Sequence, residues 1–135
     1  LNISDMIKRH KNKIGIILNT DPHYKDGEHW ISLFINIKEK YIIYFDSNGE
    51  VCPPEIYSLI MNIQKQAKKE DIDLKVIYNT YEHQQTNTEC GMYSLFFIIT
   101  MLTEKLGKKS KKRKNIFNHL QRVRVSDNKM KKLKA

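Results

Sequence analysis

Residue types that define several protein classes are scarce in this sequence. Only two of its 135 residues are cysteine, Cys52 and Cys90, so it holds no framework of several disulfide bonds. Its five glycines are scattered, which excludes the glycine-rich loop that cradles phosphates in nucleotide-binding proteins. No cysteine and histidine stand at the spacing of metal ligands, and we therefore expect neither a metal nor another cofactor.

Long apolar runs are missing as well. The longest extends from Leu95 to Leu102, is interrupted by Thr100 and is too short to cross a bilayer, so no membrane contact is expected. The absence of a signal peptide, together with the few cysteines, indicates a reducing intracellular setting. The sequence begins at Leu1 rather than at a methionine, and we expect it to be a fragment of a longer protein.

Positive charge is concentrated at one end of the chain. Residues 1–104 carry 11 Lys and Arg against 14 Asp and Glu, whereas residues 105–135 carry 13 against Asp127 alone. The basic run Lys108–Lys114 is most often a solvated linker in such a position. It is also typical of a nuclear import signal or of a segment that contacts DNA or another polyanion. It lacks aromatic residues that could stack on bases.

Hydrophobic periodicity predicts one globular domain of strands and helices. A short buried strand is expected at 14–19, and further strands at 29–37, 41–45 and 74–78. The short polar turn at 38–40 makes 29–37 and 41–45 a β-hairpin. Helices are expected at about 54–67, with proline at its start, and at about 90–105, ended by Gly107. This order predicts an α+β or three-layer α/β domain.

The segment from Gln84 to Gly91 has the composition of a nucleophile site. Cys90 would begin the apolar helix, where unpaired N–H groups and the positive end of the helix dipole favour a thiolate. Gly91 would let a substrate backbone approach closely. Gln84, six residues before Cys90, or its neighbour Gln85 could donate a side-chain N–H to an oxyanion. Most free cysteines are inert, and Cys52 is interpreted as structural or as a bystander.

His29 and Asp46 could complete an acyl-transfer site. They are 17 residues apart, but a chain that folds back at the turn 38–40 would bring them together. Pairing His29 with either Asp46 or Asn48 leaves the imidazole and the carboxylate on the same face of the sheet. Taken alone, His29 would be a satisfied strand histidine and Asp46 a turn residue. The other histidines are expected at the surface, and His83 is the one rival to His29.

Together these residues resemble the ubiquitin-like protease superfamily, which includes SUMO proteases, the adenovirus protease and maturation proteases of large DNA viruses. The resemblance lies in His29-Trp30, Asp46-Ser47, the Gln84 loop and the sequence Asn-Thr-Glu-Cys-Gly at 87–91, in that order. It spans roughly residues 14–130. The Asn-Thr-Glu-Cys-Gly form is especially similar to the members from large DNA viruses.

The resemblance implies a papain-like α+β fold, with a mixed or antiparallel sheet packed on a central helix that begins at Cys90. Cys90 would be the nucleophile, His29 its base and Asp46 the residue that orients the base. Gln84 would stand in the oxyanion hole. Trp30 would cover a narrow channel that admits only small substrate residues.

It also implies a domain division and a function. Residues 1–107 would form the catalytic core, without its N-terminal part, and residues 108–135 a basic C-terminal segment with a short helix. The implied function is a viral thiol protease that cleaves after Gly-Gly-type sequences in structural polyproteins during virion maturation, in the virion, the viral factory or the nucleus. The alternatives are removal of SUMO or ubiquitin-like modifiers, acyl transfer with the same triad, and a non-catalytic module tethered to nucleic acid.

Overall fold

The computed structural model describes residues 2–19, 29–49, 51–79, 81–83, 90–106, 109–110, 112–121 and 123–134. Five helices lie in these ranges: α1 (Ile3–Lys8), α2 (Pro54–Lys68), α3 (Cys90–Thr103), α4 (Arg113–Leu120) and α5 (Asp127–Lys134). A four-stranded sheet is formed by β1 (Lys13–Asn19), β2 (Trp30–Asn36), β3 (Tyr41–Phe45) and β4 (Lys75–Tyr78). A small ribbon is formed by β5 (Lys105–Leu106) and β6 (Lys109–Ser110). None of the described helices is long and apolar enough to cross a membrane.

The strands are ordered β1-β2-β3-β4, and the predicted hairpin is confirmed. β2 pairs with β3 in antiparallel fashion, so that Ser32 lies opposite Phe45 and Asn36 opposite Tyr41. β4 is parallel to β3, and α2 provides the crossover between them. The strand predicted at 14–19 is present, but the prediction that it is buried is wrong. β1 lies at the edge of the sheet, and its residues alternate between exposed and half-buried.

Helices α1 and α2 cover one face of the sheet, which we call the α2 face. The predicted stripe of α2 is confirmed, because Ile56, Ile60, Ile63 and Ala67 are buried against the sheet. Pro54 is the first residue of this helix. An N–H at that position has no acceptor within the helix, so proline loses no hydrogen bond there. Burial of each large aliphatic side chain contributes about 1.5–3 kcal/mol, so this stripe orients the helix.

Helices α3, α4 and α5 cover the other face, which we call the α3 face. Phe34 and Phe45 from the sheet pack here against apolar side chains of α3, and the Phe45 and Phe97 rings are stacked with centroids 4.5 Å apart. The C-terminal segment, residues 112–134, belongs to the same core: Ile116, Leu120, Val125 and Met130 are all buried in it.

The end of α3 differs from the prediction. The helix ends at Thr103 rather than near Gly107, and Glu104 adopts a left-handed φ of 56°. Glycine is preferred in this conformation at a helix end, because residues with a Cβ are strained there. Contacts with neighbouring residues therefore have to offset the strain at Glu104. Arg113 supplies such contacts: its Nε donates to the Met101 carbonyl at 2.8 Å and its guanidinium pairs with Glu104 at 2.9 Å. Gly107 lies outside the described residues.

Candidate active site

His29 and Asp46 are joined by a hydrogen bond, as their spacing predicts. His29 Nε2 lies 2.9 Å from Asp46 Oδ1, and the aspartate is almost fully buried. When the pairing of β2 with β3 is continued by three residues beyond Ser32 and Phe45, Asn48 lies opposite His29. This is one of the two predicted registers. An ionised carboxylate only accepts hydrogen bonds, so His29 Nε2 carries the proton. Nδ1 of the neutral ring then carries the lone pair that can take a proton.

The surrounding backbone fixes Asp46 in place. The Asn48 N–H donates to the same Oδ1 at 2.8 Å, and the Gly49 N–H closes a turn onto the Asp46 carbonyl at 2.8 Å. The buried Asn79 side chain accepts from the Asp46 N–H at 2.7 Å and donates to the Asp46 carbonyl at 2.8 Å. Backbone and carboxylate are therefore held from three directions, which limits the orientations that His29 can adopt.

Asn79 was missed by the sequence reasoning. It directly follows β4, the parallel neighbour of β3, and parallel strands end side by side. Once the pairing of these strands is known, a polar residue after β4 would be expected near Asp46, which follows β3. The signal in the sequence was the position of Asn79 directly after a strand. It indicates a contact with Asp46 only when the parallel pairing of β3 and β4 is known.

The N-terminus of α3 lies beside the start of β2. The prediction that a helix begins at Cys90 is confirmed. Ser94, one turn further along the same helix face, donates from Oγ to the Trp30 carbonyl at 3.1 Å, and Trp30 is the neighbour of His29. Trp30 itself is half-buried. The predicted oxyanion residues Gln84 and Gln85 fall in the segment 84–89, outside the described residues.

Cys52 has the properties of a protonated, unreactive thiol. Burial, followed by the nearby carboxylates of Asp46 and Glu55, raises its pKa to about 11. Its Sγ lies 3.6 Å from the Pro53 carbonyl oxygen, to which the thiol can donate. At neutral pH the thiolate is the minor form, and only the thiolate is a good nucleophile. These observations support the interpretation of Cys52 as a bystander.

The prediction that His83 lies at the surface is wrong, because the residue is fully buried. Its ring Nε2 lies 2.8 Å from the Leu120 carbonyl oxygen, and its Nδ1 accepts from the Val125 N–H at 2.9 Å. Both ring nitrogens are therefore occupied by backbone groups, so His83 is a poor rival to His29 as a base. No local pattern indicated this, since both partners lie about forty residues further along the chain.

Residues 112–114 of the basic run line a groove at the opposite end of the sheet from His29. Lys112 and Lys114 stand there together with Lys13 and Lys38, around a volume of about 490 Å³. The groove also contains the Arg113–Glu104 ion pair, in which the arginine is almost fully buried. Four lysines from three parts of the chain, together with Arg113, outnumber the acidic residues Glu39 and Glu104 of the groove and give it a net positive charge.

Comparison with known proteins identifies the family of this chain. A family described as "Ulp1 protease family, C-terminal catalytic domain" matches residues 6–135. The "SUMO-1 cysteine protease" of African swine fever virus is 34% identical over 96 residues, which are 69% of this chain and 35% of the relative. A relative from Acanthamoeba polyphaga mimivirus is 33% identical over 104 residues, 76% of this chain and 34% of the relative. The chain thus spans about a third of the length of these viral relatives.

A solved structure shows the same fold. The crystal structure of the African swine fever virus protease superposes with a TM-score of 0.72 at 30% identity, over 88% of this chain and 41% of that one. The predicted α+β fold, with a mixed sheet and a helix that begins at Cys90, is therefore confirmed. The predicted resemblance is confirmed by the match over almost the whole chain, and the chain belongs to the Ulp1 protease family.

Proposed function

We propose that this chain carries the catalytic centre of a cysteine peptidase, with Cys90 as nucleophile, His29 as base and Asp46 as the residue that orients the base. The observation that carries the proposal is the 2.9 Å hydrogen bond between His29 Nε2 and the buried Asp46 carboxylate. The bond between Ser94 and the Trp30 carbonyl supports it, because it holds the first turns of α3 beside the strand that follows His29.

The chemistry follows from these positions. His29 Nδ1 takes the proton of the Cys90 thiol, and the thiolate attacks the carbonyl carbon of the scissile peptide bond. The negative charge that develops on the carbonyl oxygen is stabilised by the Cys90 backbone N–H and by the side-chain amide of Gln84. The tetrahedral intermediate collapses as His29 protonates the leaving amine, and water then hydrolyses the thioester with His29 again as the base.

Asp46 contributes by fixing the tautomer and orientation of the imidazole. Its carboxylate holds the proton on Nε2, so that Nδ1 is the basic atom in both the acylation and the deacylation step. It also stabilises the imidazolium that forms in each step. The bond from the Asn48 N–H to the carboxylate, and the bonds between Asn79 and the Asp46 backbone, keep this residue from following the imidazole if the ring moves.

The proposed substrates are polypeptides with small residues before the cleaved bond, such as Gly-Gly-X. We favour viral structural polyproteins, in line with the similarity to viral proteases. The name of the African swine fever virus relative as a SUMO-1 protease supports a second substrate, the tail of a ubiquitin-like modifier. Gly-Gly-X peptides and SUMO or ubiquitin conjugates, assayed side by side, separate the two; efficient cleavage of conjugates without cleavage of peptides would overturn our preference.

The direct test is covalent labelling of the native protein with a Gly-Gly vinyl sulfone, with the modified residue identified by mass spectrometry. We expect modification of Cys90 that is lost in His29→Ala, and no modification of Cys52, whose thiol is protonated at neutral pH. Cys52→Ser is the matched control and should label like the wild type. Equal labelling of both cysteines, or labelling that is unaffected by His29→Ala, would contradict the proposed site.

The basic groove supports an additional role, contact with a nucleic acid or another polyanion. Lys13, Lys38, Lys112 and Lys114 converge there from separate elements, far from the proposed catalytic residues. Each phosphate contact that is lost should reduce the slope of log affinity against log salt by about 0.9 for duplex DNA. The double variant Lys112→Glu/Lys114→Glu should therefore weaken DNA binding and flatten its salt dependence. Unchanged binding would assign any DNA contact to another part of the chain.

A further inference from the structure

The imidazole of His83 is enclosed by three parts of the chain. Its Nε2 lies 2.8 Å from the Leu120 carbonyl oxygen, and its Nδ1 accepts from the Val125 N–H at 2.9 Å. A carbonyl only accepts and an N–H only donates, so the two bonds define a neutral ring with its proton on Nε2. The ring also packs against Phe45 and Tyr81, with centroids 5.8 Å and 4.9 Å away.

The backbone of His83 is held as firmly as its ring. Its N–H donates to the Ser47 carbonyl at 2.7 Å, which ties residue 83 to the turn that begins at Asp46. Its carbonyl accepts from Arg124 Nε at 2.7 Å. His83 thus connects the turn of the proposed catalytic aspartate to the C-terminal segment.

Tyr93 completes the network on the other side of the segment 84–89. Its hydroxyl oxygen lies 2.7 Å from the Val125 carbonyl oxygen and 3.2 Å from the His83 carbonyl oxygen. Tyr93 belongs to the first turn of α3, and His83 directly precedes residue 84. The C-terminal segment therefore binds the chain immediately before and shortly after 84–89. We call His83, Tyr93, Arg124 and Val125 the His83 clamp.

We propose that His83 is a positioning residue: held by the C-terminal segment, it fixes the start of α3, where Cys90 lies, relative to the turn that begins at Asp46. This inference rests on the proposed function, because Cys90 is the proposed nucleophile and Asp46 the residue that orients its base. The clamp fixes the chain directly before Gln84 and three residues after Cys90. A shift of about 1 Å in a catalytic group costs about 10²-fold in rate.

The clamp requires a neutral imidazole. A second proton on His83 would occupy Nδ1 and face the Val125 N–H, so the hydrogen bond between them would be replaced by two opposed donors. An unsatisfied buried donor costs about 1–3 kcal/mol. Protonation of His83 should therefore open the clamp without any change in the catalytic residues themselves.

The surroundings of His83 keep it neutral. Burial is the main cause that lowers its pKa; the hydrogen bond to Leu120 opposes this, and the charges of Arg124 and His119 add to it. The other titratable groups packed against the ring are the hydroxyls of Tyr81 and Tyr93. Because its pKa in the folded state is below the unfolded value of about 6.5, the stability that His83 contributes is present above that pH. It is lost as the pH falls from there towards the folded-state pKa.

The test compares His83→Phe with His83→Gln. Phenylalanine keeps an aromatic ring but neither hydrogen bond, whereas the glutamine amide offers an N–H donor and a carbonyl acceptor and does not titrate. We expect His83→Phe to lower kcat for Gly-Gly-X hydrolysis about 10- to 100-fold, with little change in KM. We expect His83→Gln to restore kcat to within a few-fold of the wild type and to remove the acid-induced loss of thermal stability due to His83. His119→Gln is the control for a nearby histidine.

A second measurement does not depend on activity. Hydrogen exchange of the Val125 N–H should be faster in His83→Phe and unchanged in His83→Gln. Unaltered exchange in His83→Phe overturns the clamp, and unaltered kcat overturns the positioning role. If His83→Phe does not fold, His83→Gln provides the test. An acid-induced loss of thermal stability in His83→Gln equal to that of the wild type overturns the inference. Wild-type protein with normal exchange but no labelling of Cys90 refutes the proposed function instead.

Discussion

The two faces of the sheet are stabilised in different ways. On the α2 face, apolar side chains such as Leu33 and Ile35 pack against an amphipathic helix, and its side-chain bonds to the backbone, such as that of Gln64 to the Leu74 carbonyl, are only partly buried. On the α3 face, apolar packing is combined with buried hydrogen bonds, such as those of His83 and Arg113 to backbone carbonyls. Apolar packing is non-directional, while hydrogen bonds fix relative positions. The difference indicates that the α2 face supplies stability and the α3 face supplies stability together with positional accuracy.

The proposed chemistry depends on that accuracy. Cys90 is the first residue of α3. The C-terminal segment, through the His83 clamp, fixes the residues on either side of the segment 84–89 that precedes Cys90. His29 and Asp46 lie at the end of the sheet where β2 begins and β3 ends, and hydrogen bonds to neighbouring strands and strand ends hold them there. Two separately stabilised layers thus meet at the proposed site. Substitutions on the two sides should therefore separate effects on rate from effects on stability.

The largest expected effect is the loss of the nucleophile. Cys90→Ala should reduce peptidase activity about 10⁴-fold or more, because no other group can form the acyl-enzyme. Thermal unfolding of the variant should remain close to that of the wild type. Cys52→Ala, on the α2 face, is the matched control and should keep most of the activity. Persistent turnover by Cys90→Ala would refute the assignment of the nucleophile.

The next largest effect should follow from removing the orienting carboxylate. Asp46→Ala should lower kcat about 10²- to 10⁴-fold, because the imidazole loses both its fixed tautomer and the charge that stabilises its protonated form. Asp73→Ala is the control: this exposed aspartate pairs with the exposed Lys68, and such pairs contribute about 0–1 kcal/mol. Steady-state kinetics on one Gly-Gly-X peptide compares the two, and equal activities would exclude a role for Asp46.

On the α2 face the expected effect is on stability rather than on rate. Ile60→Ala should reduce the free energy of unfolding by about 2–5 kcal/mol, because it leaves a cavity in the stripe of α2. Met61→Ala, at the next and half-exposed position, should change it by about 0.5 kcal/mol or less. Urea unfolding measures both. If kcat per folded molecule falls in Ile60→Ala, the two faces are more strongly coupled than their packing indicates.

Features of the molecule that depend on local pattern were predictable from the sequence. The stripe of α2 follows the helical period, and the hairpin follows from two β-type runs around the polar turn 38–40. The contact between His29 and Asp46 then follows from the register of that hairpin. The start of α3 at Cys90 was marked by the change from a polar loop to an apolar run.

Features that depend on distant partners were not predictable. Asn79 bonds to Asp46 across 33 residues, and His83 bonds to Val125 across 42. Neither partner can be chosen before the order of the strands and the path of the C-terminal segment are known. The same holds for Glu104, whose left-handed conformation depends on its pairing with Arg113. The exposure of β1 also depends on topology, because nothing in its apolar sequence marks it as an edge strand.

The smallest expected effect concerns α3, where a helix that is apolar all round keeps one side in solvent. Leu95, Ile99 and Leu102 follow each other at helical spacing and remain 40%, 50% and 42% exposed. Leu95→Gln and Ile99→Gln should each change the free energy of unfolding by about 0.5 kcal/mol or less, since little apolar area is lost and glutamine favours helices. Phe97→Ala, on the buried side of the same helix, is the control and should cost about 3–5 kcal/mol. A loss above about 2 kcal/mol in either glutamine variant would mean that this side is covered in solution, and α3 would then be a helix packed on both sides.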